Sequence, residues 1–197
     1  MKIITIDREY GSGGREVGKI ISEKTGMPCY DNRLIMEAAE NFGLNVGMMK
    51  DYDEKNIGST LYNIAMIASN MKMDGENNKT YEIYYAISET VRRIAAKESA
   101  VFIGRCAGEA LKENKNVINA FVYASDIEKR KQRITEIDGV SKSNADYALK
   151  KRDKQRKAFY EFYTGKKWGE RQNYDIMLNT ATLGYENCAD ILIGMAK

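Results

Sequence analysis

Short apolar runs alternate along the chain with longer segments in which apolar residues recur every three to four positions. The short runs, rich in Val, Ile and aromatic residues, predict buried strands, and the periodic segments predict helices. Strands that alternate with helices favour a parallel sheet covered on both faces. The pattern therefore predicts a three-layer α/β/α fold with a five-stranded parallel sheet. The predicted strands are residues 2–6, 29–30, 100–103, 117–123 and 174–178.

The periodic segments predict helices of unequal length. Ser125 or Asp126 can cap the helix that follows the fourth strand. A block covering residues 44–98 is helical in pattern, with breaks near residues 41–45 and at residues 74–78. Because no proline-rich or serine-rich linker and no fixed repeat interrupts the 197 residues, we expect one domain. The other predicted helices cover residues 15–24, 32–40, 126–137, about 141–160 (capped by Ser141 or Ser143) and about 185–196.

The composition excludes several kinds of chemistry. The chain has no histidine, which excludes Ser–His and Cys–His catalysis and removes the commonest metal ligand. Its three cysteines have no paired spacing, which argues against a disulfide framework and a zinc site. No apolar run reaches the ~18 residues of a membrane span, and the first ten residues do not read as a signal peptide. We therefore expect a cytoplasmic protein with no metal site of its own and no membrane partner.

The charge is unevenly distributed along the chain. The net charge is +3, but residues 126–171 carry 14 Lys and Arg against 8 Asp and Glu. A basic segment in a nearly neutral protein indicates a local anionic partner, either a nucleotide phosphate or a nucleic acid. The alternative is a solvated helix face. A nucleic acid is the weaker of the two partners, because the segment has no recognition motif and no repeated aromatic platforms.

A glycine-rich turn, with Gly11, Ser12, Gly13 and Gly14, separates the first strand from the first helix. Glycines let backbone amides approach a phosphate without a β-carbon in the way, and a helix start adds a partial positive charge. Arg15 in the first helical turn can supply a full charge and a bidentate fork. The turn therefore predicts a phosphate-binding loop, and the alternative is a plain tight turn into a helix.

The loop departs from the standard phosphate-loop sequence G-x-x-x-x-G-K-[ST]. With Gly13 as the second glycine, Arg8 stands for the first glycine, Gly14 for the lysine and Arg15 for the hydroxyl residue. The lysine that holds the transferred phosphate and the hydroxyl that holds magnesium are therefore both absent. Asp7, beside the loop, can orient Arg15, bind a magnesium water or act as a turn carboxylate.

The segment ITIDREYGSGGREVGKIISEKTGMPCYDNRLI resembles the opening of the cytidylate kinase-like family of bacterial P-loop proteins. Four later segments, at residues 102–108, 117–134, 150–168 and 174–184, resemble the family in the same order. The resemblance implies a P-loop nucleoside-monophosphate-kinase-like fold, with a helical insertion at about 44–98 and a basic lid at about 150–171. It also implies ATP and Mg²⁺ as cofactors and phosphoryl transfer to a nucleoside monophosphate, with cytidine nucleotides as the acceptors.

The resemblance, together with the position of each residue in the predicted elements, indicates roles for individual residues. Arg105 would bind the acceptor phosphate, and Asp31 would meet the acceptor nucleotide or cap the next helix. Arg152 and Arg156 are four residues apart, so on a helix they share one face about 6 Å apart and can straddle a phosphate chain. Asp153 would orient an arginine or a magnesium water. The alternative for these lid residues is a surface helix with scattered ion pairs.

The glycine-flanked loop that follows the lid helix contains Lys166, Lys167 and Trp168. The two lysines can close over a nucleotide and exclude water or remain solvated, and the tryptophan favours packing over base stacking. Because the loop lysine is absent, a nucleotide-binding regulator or pseudo-kinase without turnover is the second hypothesis for the whole chain. The methionines favour an adaptable core or an interface, which leaves a homo-oligomer open.

Overall fold

The computed structural model describes residues 1–31, 41 and 76–196. The strands are β1 (Ile3–Arg8), β2 (Cys29–Tyr30), β3 (Ala100–Ile103), β4 (Val117–Tyr123) and β5 (Ile176–Asn179). The helices are α1 (Gly14–Thr25), α2 (Glu76–Ala95), α3 (Ala107–Ala110), α4 (Ile127–Asp138), α5 (Ala145–Thr164) and α6 (Thr180–Met195), with 3₁₀ turns at Lys142–Asn144 and Arg171–Asn173. The predicted helix at 32–40 and residues 44–75 of the predicted insertion lie outside the described residues.

The five strands form one parallel sheet in the order β2-β3-β1-β4-β5. The central strand β1 pairs with β3 from Ile3 opposite Ala100, and with β4 from Ile3 opposite Val117. The predicted five-stranded parallel sheet of an α/β fold is therefore confirmed. Since parallel strands point the same way, the loops after β1, β3 and β4 meet at one edge of the sheet.

Side chains of β1 alternate between two hydrophobic cores. Ile3 packs on one face with a buried cluster from β3, α2 and α3, which includes Phe102 and Val91. Ile4 packs on the opposite face with buried residues of α1 and α6. Because successive side chains of a strand point to opposite faces, a sheet that buries both faces needs the continuous apolar run seen in the sequence. The helices cover both faces, as predicted for three layers.

Two strand boundaries differ from those predicted. Strand β1 extends through Arg8 instead of ending at residue 6, because its last two residues pair with Phe121 and Val122 of β4. Strand β5 begins at Ile176 instead of residue 174, because the amide of Tyr174 donates to the Arg171 carbonyl and completes a 3₁₀ turn. The residue types in these segments reveal neither the pairing of β1 with β4 nor the hydrogen bond of the Tyr174 amide.

Three helices also have bounds that differ from those predicted. Helix α5 begins at Ala145, after a 3₁₀ turn that starts at the predicted cap region, and it continues past residue 160 to Thr164. Helix α6 begins at Thr180 because the Asn179 side chain accepts from the Ala181 amide, and a kink at Gly184 interrupts its periodicity. The chain is already helical at residues 76–78, where the sequence predicted a break.

The predicted cap of α4 is found at Asp126, whose carboxylate accepts from the amides of Glu128 and Lys129. These bonds satisfy two of the amide donors that every helix start leaves without an intrahelical acceptor.

Among the helices described, none combines the length and the apolar character needed to cross a bilayer.

Candidate active site at the carboxyl edge of the sheet

The glycine loop joins β1 to the start of α1. Gly11 and Gly13 have positive φ angles of 75° and 83°, which lie in the left-handed region that favours glycine. Gly13 is the cap residue of α1, and it has no side chain to satisfy the amides at the helix start. The amides of Gly13 and Gly14 donate no hydrogen bond to any described residue. The loop therefore presents two amide donors at the positive end of a helix, as an anion-binding site requires.

Ser12 anchors this loop to the sheet. Its hydroxyl lies 2.9 Å from the Glu9 carbonyl oxygen and 3.1 Å from that of Val122, and the side chain is buried. The Thr180 hydroxyl donates to the Ser12 carbonyl at 2.7 Å. Ser12 therefore fixes the loop conformation through hydrogen bonds to other parts of the protein.

The loop glycines are packed on the sides where side chains would lie. A β-carbon on Gly11 would come within 2.8 Å of the Arg130 carbonyl oxygen, and one on Gly14 within 2.6 Å of the β-carbon of Arg8. A β-carbon on Gly13 would overlap the Tyr185 ring. Neighbouring protein atoms therefore explain the need for glycine at these positions.

Two of the predicted site residues, Arg15 and Asp31, form an ion pair. The Nε atom of Arg15 lies 2.5 Å from a carboxylate oxygen of Asp31, which is the more buried partner. Arg15 is exposed at the first turn of α1, and Asp31 follows β2. The pair therefore connects the phosphate-loop helix to the segment in which the sequence predicted an acceptor contact.

Arg105 lies in a strained turn at the carboxyl end of β3. Gly104, Arg105 and Cys106 have consecutive positive φ angles of 69°, 59° and 54°. Left-handed backbone costs a residue with a β-carbon roughly 1–2 kcal/mol, and such strain persists only where surrounding structure fixes it. Helix α3 begins immediately afterwards, so the strained turn places Arg105 at the edge of the sheet where ligands of this fold class bind.

The ring of Tyr10 brings the two predicted lid arginines together. The guanidinium carbons of Arg152 and Arg156 lie 5.8 and 5.6 Å from the centre of that ring, within the range of cation–π attraction. Arg156 also donates from Nη1 to the carbonyl oxygen of Arg8 at 3.1 Å. The lid helix α5 is thus held against the glycine loop.

Arg130, which the sequence did not identify, connects the loop to both helices α4 and α5. Its guanidinium forms ion pairs with Glu9 and with Asp153, and its Nε donates to the Tyr10 carbonyl at 2.8 Å. Asp153 also accepts from the Tyr10 amide at 2.7 Å. Asp153 is therefore placed against an arginine in this structure. In the sequence, Arg130 is one of several basic residues in α4, and nothing distinguishes it from the others.

Arg8 is a second residue whose side-chain position could not be predicted from the sequence. It is buried at the end of β1, with 8% of its surface exposed. Its stem lies against Gly14, and its guanidinium lies against Gly104, where a β-carbon would overlap Nη1. The side chain thus spans the distance from the glycine loop to the strained turn that carries Arg105.

Asp7 lies beside this cation. Desolvation raises the pKa of its carboxyl group above the ordinary value, although Arg8, the Tyr174 hydroxyl and Arg156 each oppose the rise. Tyr174 donates to a carboxylate oxygen of Asp7 at 3.2 Å. Carboxyl groups with perturbed pKa values cluster at functional sites, so Asp7 is a candidate site residue.

The loop after the lid helix packs partly on the protein. Lys166 donates to the Glu109 carboxylate at 2.7 Å, and Trp168 packs edge-on against Phe121 at 5.3 Å between ring centres. Trp168 therefore has the packing role that the sequence favoured.

A cavity of about 660 Å³ lies beside the loop, lined by Lys157, Glu161 and residues 165–170. The described residues contain no group of three or more Cys, Asp or Glu positioned to hold a metal ion.

The strand order, the glycine loop after β1 and the basic carboxyl edge together define a P-loop kinase fold. The chain belongs to the cytidylate kinase-like family, whose model matches residues 3–182. The family resemblance noted in the sequence is thereby confirmed. No curated protein matches the chain significantly.

Solved structures share the whole fold. An uncharacterized protein from Eubacterium ventriosum ATCC 27560 is 30% identical, with a TM-score of 0.74, over 100% of this chain and 98% of that chain. The shikimate kinase from Acinetobacter baumannii in complex with shikimate is 15% identical, with a TM-score of 0.51, over 99% and 92%. The shikimate kinase from Bacteroides thetaiotaomicron is 13% identical, with a TM-score of 0.54, over 98% and 97%. The two kinases are similar to this chain in fold.

Proposed function

We propose that this protein transfers the terminal phosphoryl group of ATP to a nucleoside monophosphate. One observation carries the proposal: two amide donors at the mouth of α1 lie at the same sheet edge as the basic residues Arg8, Arg105 and Arg156. Phosphoryl transfer needs a cradle for the donor phosphates and cations near both donor and acceptor, since catalysis is mostly positioning and electrostatic stabilisation.

The residues present fit the phosphates of a nucleotide. The amides of Gly13 and Gly14 would donate hydrogen bonds to the phosphates of ATP, and Arg105 would bind the acceptor phosphate. Arg152 and Arg156, the arginines of the predicted lid, would stabilise charge on the transferred group. Membership of the cytidylate kinase-like family supports a nucleotide acceptor. Cytidine monophosphates are therefore the first acceptors to test.

Magnesium fits this site as a companion of the phosphates. Mg²⁺ commonly keeps several waters and uses one or two carboxylates together with substrate phosphates. Asp7 is the carboxylate beside the loop, and no hydroxyl residue stands at positions 14 or 15. The ion would neutralise charge on the donor phosphates when bound, and Asp7 would hold one of its waters.

The test is ADP formation by the purified protein with Mg-ATP and a panel of acceptors: CMP, dCMP, UMP, AMP, GMP and the corresponding nucleosides. We expect turnover with at least one monophosphate, and Arg105→Gln should raise the KM for that acceptor more than the KM for ATP. Lys24→Gln removes a surface cation that pairs with Glu186 and Asp190, so it serves as the charge control. Absence of ADP formation with every acceptor would refute the transferase.

A second candidate, a nucleotide-binding regulator without turnover, is favoured by one observation. The ring of Tyr185 covers the Gly13 position, and the residue that replaces the loop lysine has no side chain. Isothermal titration with ATP beside a coupled kinase assay separates the two candidates. Binding without ADP formation identifies the regulator, whereas both together identify the kinase.

A further inference from the structure

The glycine loop departs from the standard phosphate-loop sequence at two positions in a reciprocal way. The standard sequence begins with glycine and places lysine immediately after its second glycine. This chain has Arg8 at the first of these positions and Gly14 at the second. One cation and one side-chain-free residue are thus both retained, but they have exchanged places across the loop.

The structure gives a steric reason for the exchange. A β-carbon on Gly14 would lie 2.6 Å from the β-carbon of Arg8 and 3.0 Å from its γ-carbon. These atoms belong to the base of the side chain, so rotation at its flexible end cannot relieve the overlap. Arg8 and a lysine at position 14 therefore exclude each other, and the absence of a side chain at Gly14 is what lets the Arg8 stem cross the loop.

The crossing places the Arg8 guanidinium at the turn to which the proposed function assigns the acceptor phosphate. The side chain runs from Gly14, at the start of α1, to Gly104, beside Arg105. Arg15, the other cation of the loop, has its Nε atom 2.5 Å from Asp31 and is engaged on the side of β2. Of these two loop cations, Arg8 is therefore the one that lies between the start of α1 and the turn that carries Arg105.

We propose that Arg8 supplies, from the end of β1, the positive charge that binds the terminal phosphates of the nucleotide in place of a lysine at position 14. This assignment rests on the proposed function for its ligand. Arginine suits the role because its planar fork binds phosphate oxygens through two hydrogen bonds.

Isothermal titration with ATP tests the assignment in four proteins besides the wild type: Arg8→Met, Gly14→Lys, the exchange variant Arg8→Gly/Gly14→Lys, and the surface control Lys24→Gln. We expect Arg8→Met to weaken ATP binding about 10- to 100-fold, as the loss of a charge-assisted hydrogen bond would. Gly14→Lys should also weaken binding and lower the Tm, because its stem collides with Arg8. Lys24→Gln should leave the affinity unchanged.

The exchange variant separates a phosphate contact from a structural role. It restores the standard arrangement, so it should recover at least tenfold of the affinity lost in Arg8→Met. A buried arginine that only stabilises the end of β1 would not be rescued by a lysine across the loop. If Arg8→Met does not fold, the exchange variant decides alone: ATP binding supports the assignment, and failure to fold or to bind overturns it.

The outcomes also distinguish this assignment from the proposed function. Wild-type protein that binds ATP but forms no ADP refutes the transferase and leaves Arg8 to be judged by the binding series. Wild-type turnover with an unchanged ATP affinity in Arg8→Met refutes the role of Arg8 and leaves the transferase standing. Wild-type protein that binds no ATP overturns both.

Discussion

Arg130 and Asp153 form a largely buried ion pair that joins helix α4 to helix α5. The guanidinium side chain is 7% exposed and the carboxylate 22% exposed. Asp153 also accepts from the Tyr10 amide, and Arg130 donates to the Tyr10 carbonyl. Both backbone groups of one glycine-loop residue are therefore held by a pair of side chains from the two helices, which couples the position of α5 to the shape of the loop.

Removing the Asp153 carboxylate should cost more stability than removing a similar exposed carboxylate on the same helix. Asp153→Ala should lower the free energy of unfolding by about 1.5–3 kcal/mol, because the buried Arg130 loses one of its two carboxylate partners and keeps Glu9. The matched control is Asp146→Ala, whose carboxylate is 66% exposed and pairs with Lys131 between the same two helices; its loss should cost about 0–1 kcal/mol. Urea denaturation measures both, and equal costs would contradict the coupling.

Gly13→Ala should be more destabilising than the same change at another left-handed glycine. Gly26 has a φ of 73° with nothing within 4 Å of its missing β-carbon, so Gly26→Ala measures the backbone cost alone, roughly 1–2 kcal/mol. Gly13→Ala adds a collision with the Tyr185 ring, worth about 1–3 kcal/mol more. In a Tyr185→Ala background the extra cost should disappear. A double-mutant cycle by chemical denaturation checks the coupling, and additive effects would show that the ring moves aside freely.

The sheet and the loop were predictable because their signals are local. Apolar runs of four to seven residues marked four of the strands, and the change from strand to glycines to helix marked the loop. The same locality produced the errors at β1 and β5, whose ends depend on hydrogen bonds to residues more than a hundred positions away or to the preceding turn.

The site was predictable in its residue types and less so in its partners. Spacing placed Arg152 and Arg156 on one helix face, but it did not show that Tyr10 lies between them and the loop. Arg130 is 120 positions from Tyr10, and no periodicity relates the two. In the sequence, Arg8 is only a departure from the phosphate-loop motif. Its role could not be predicted, because the path of its side chain depends on the space beside Gly14.

Replacing Arg105 by glycine should destabilise the protein less than replacing it by alanine. Arg105→Gly removes the strain of a β-carbon at a φ of 59°, so it should be about 1 kcal/mol more stable than Arg105→Ala. At Glu136, inside helix α4, the order should reverse, with the glycine variant about 1 kcal/mol less stable than the alanine variant. Thermal or urea unfolding of the four variants gives the comparison.

Both Arg105 variants should lose acceptor affinity to the same extent, because each lacks the guanidinium. Titration with the acceptor identified in the turnover panel measures this loss. Better acceptor binding by Arg105→Gly than by Arg105→Ala would indicate that the backbone of this turn, rather than the guanidinium, contacts the acceptor.

Asp7 should give the wild-type protein a stability that falls as pH rises above about 4. Its folded-state pKa is raised, chiefly by desolvation, so the native protein holds this proton more tightly than the unfolded chain. A group of this kind contributes stability below its unfolded pKa, near 3.9, and loses it as pH rises through the folded pKa. Asp7→Asn cannot titrate there, so its unfolding free energy relative to wild type should increase across that window and then level off.

The Tyr174 hydroxyl gives an independent control on the same window. Its hydrogen bond lowers the pKa of Asp7, so Tyr174→Phe should raise that pKa further and move the upper end of the window to higher pH. Urea denaturation at a series of pH values measures the window in each variant, and ¹³C NMR of the Asp7 carboxyl group follows its proton directly. A difference between Asp7→Asn and wild type that is flat from pH 4 upward would show that the native carboxylate is as well solvated as in the unfolded chain.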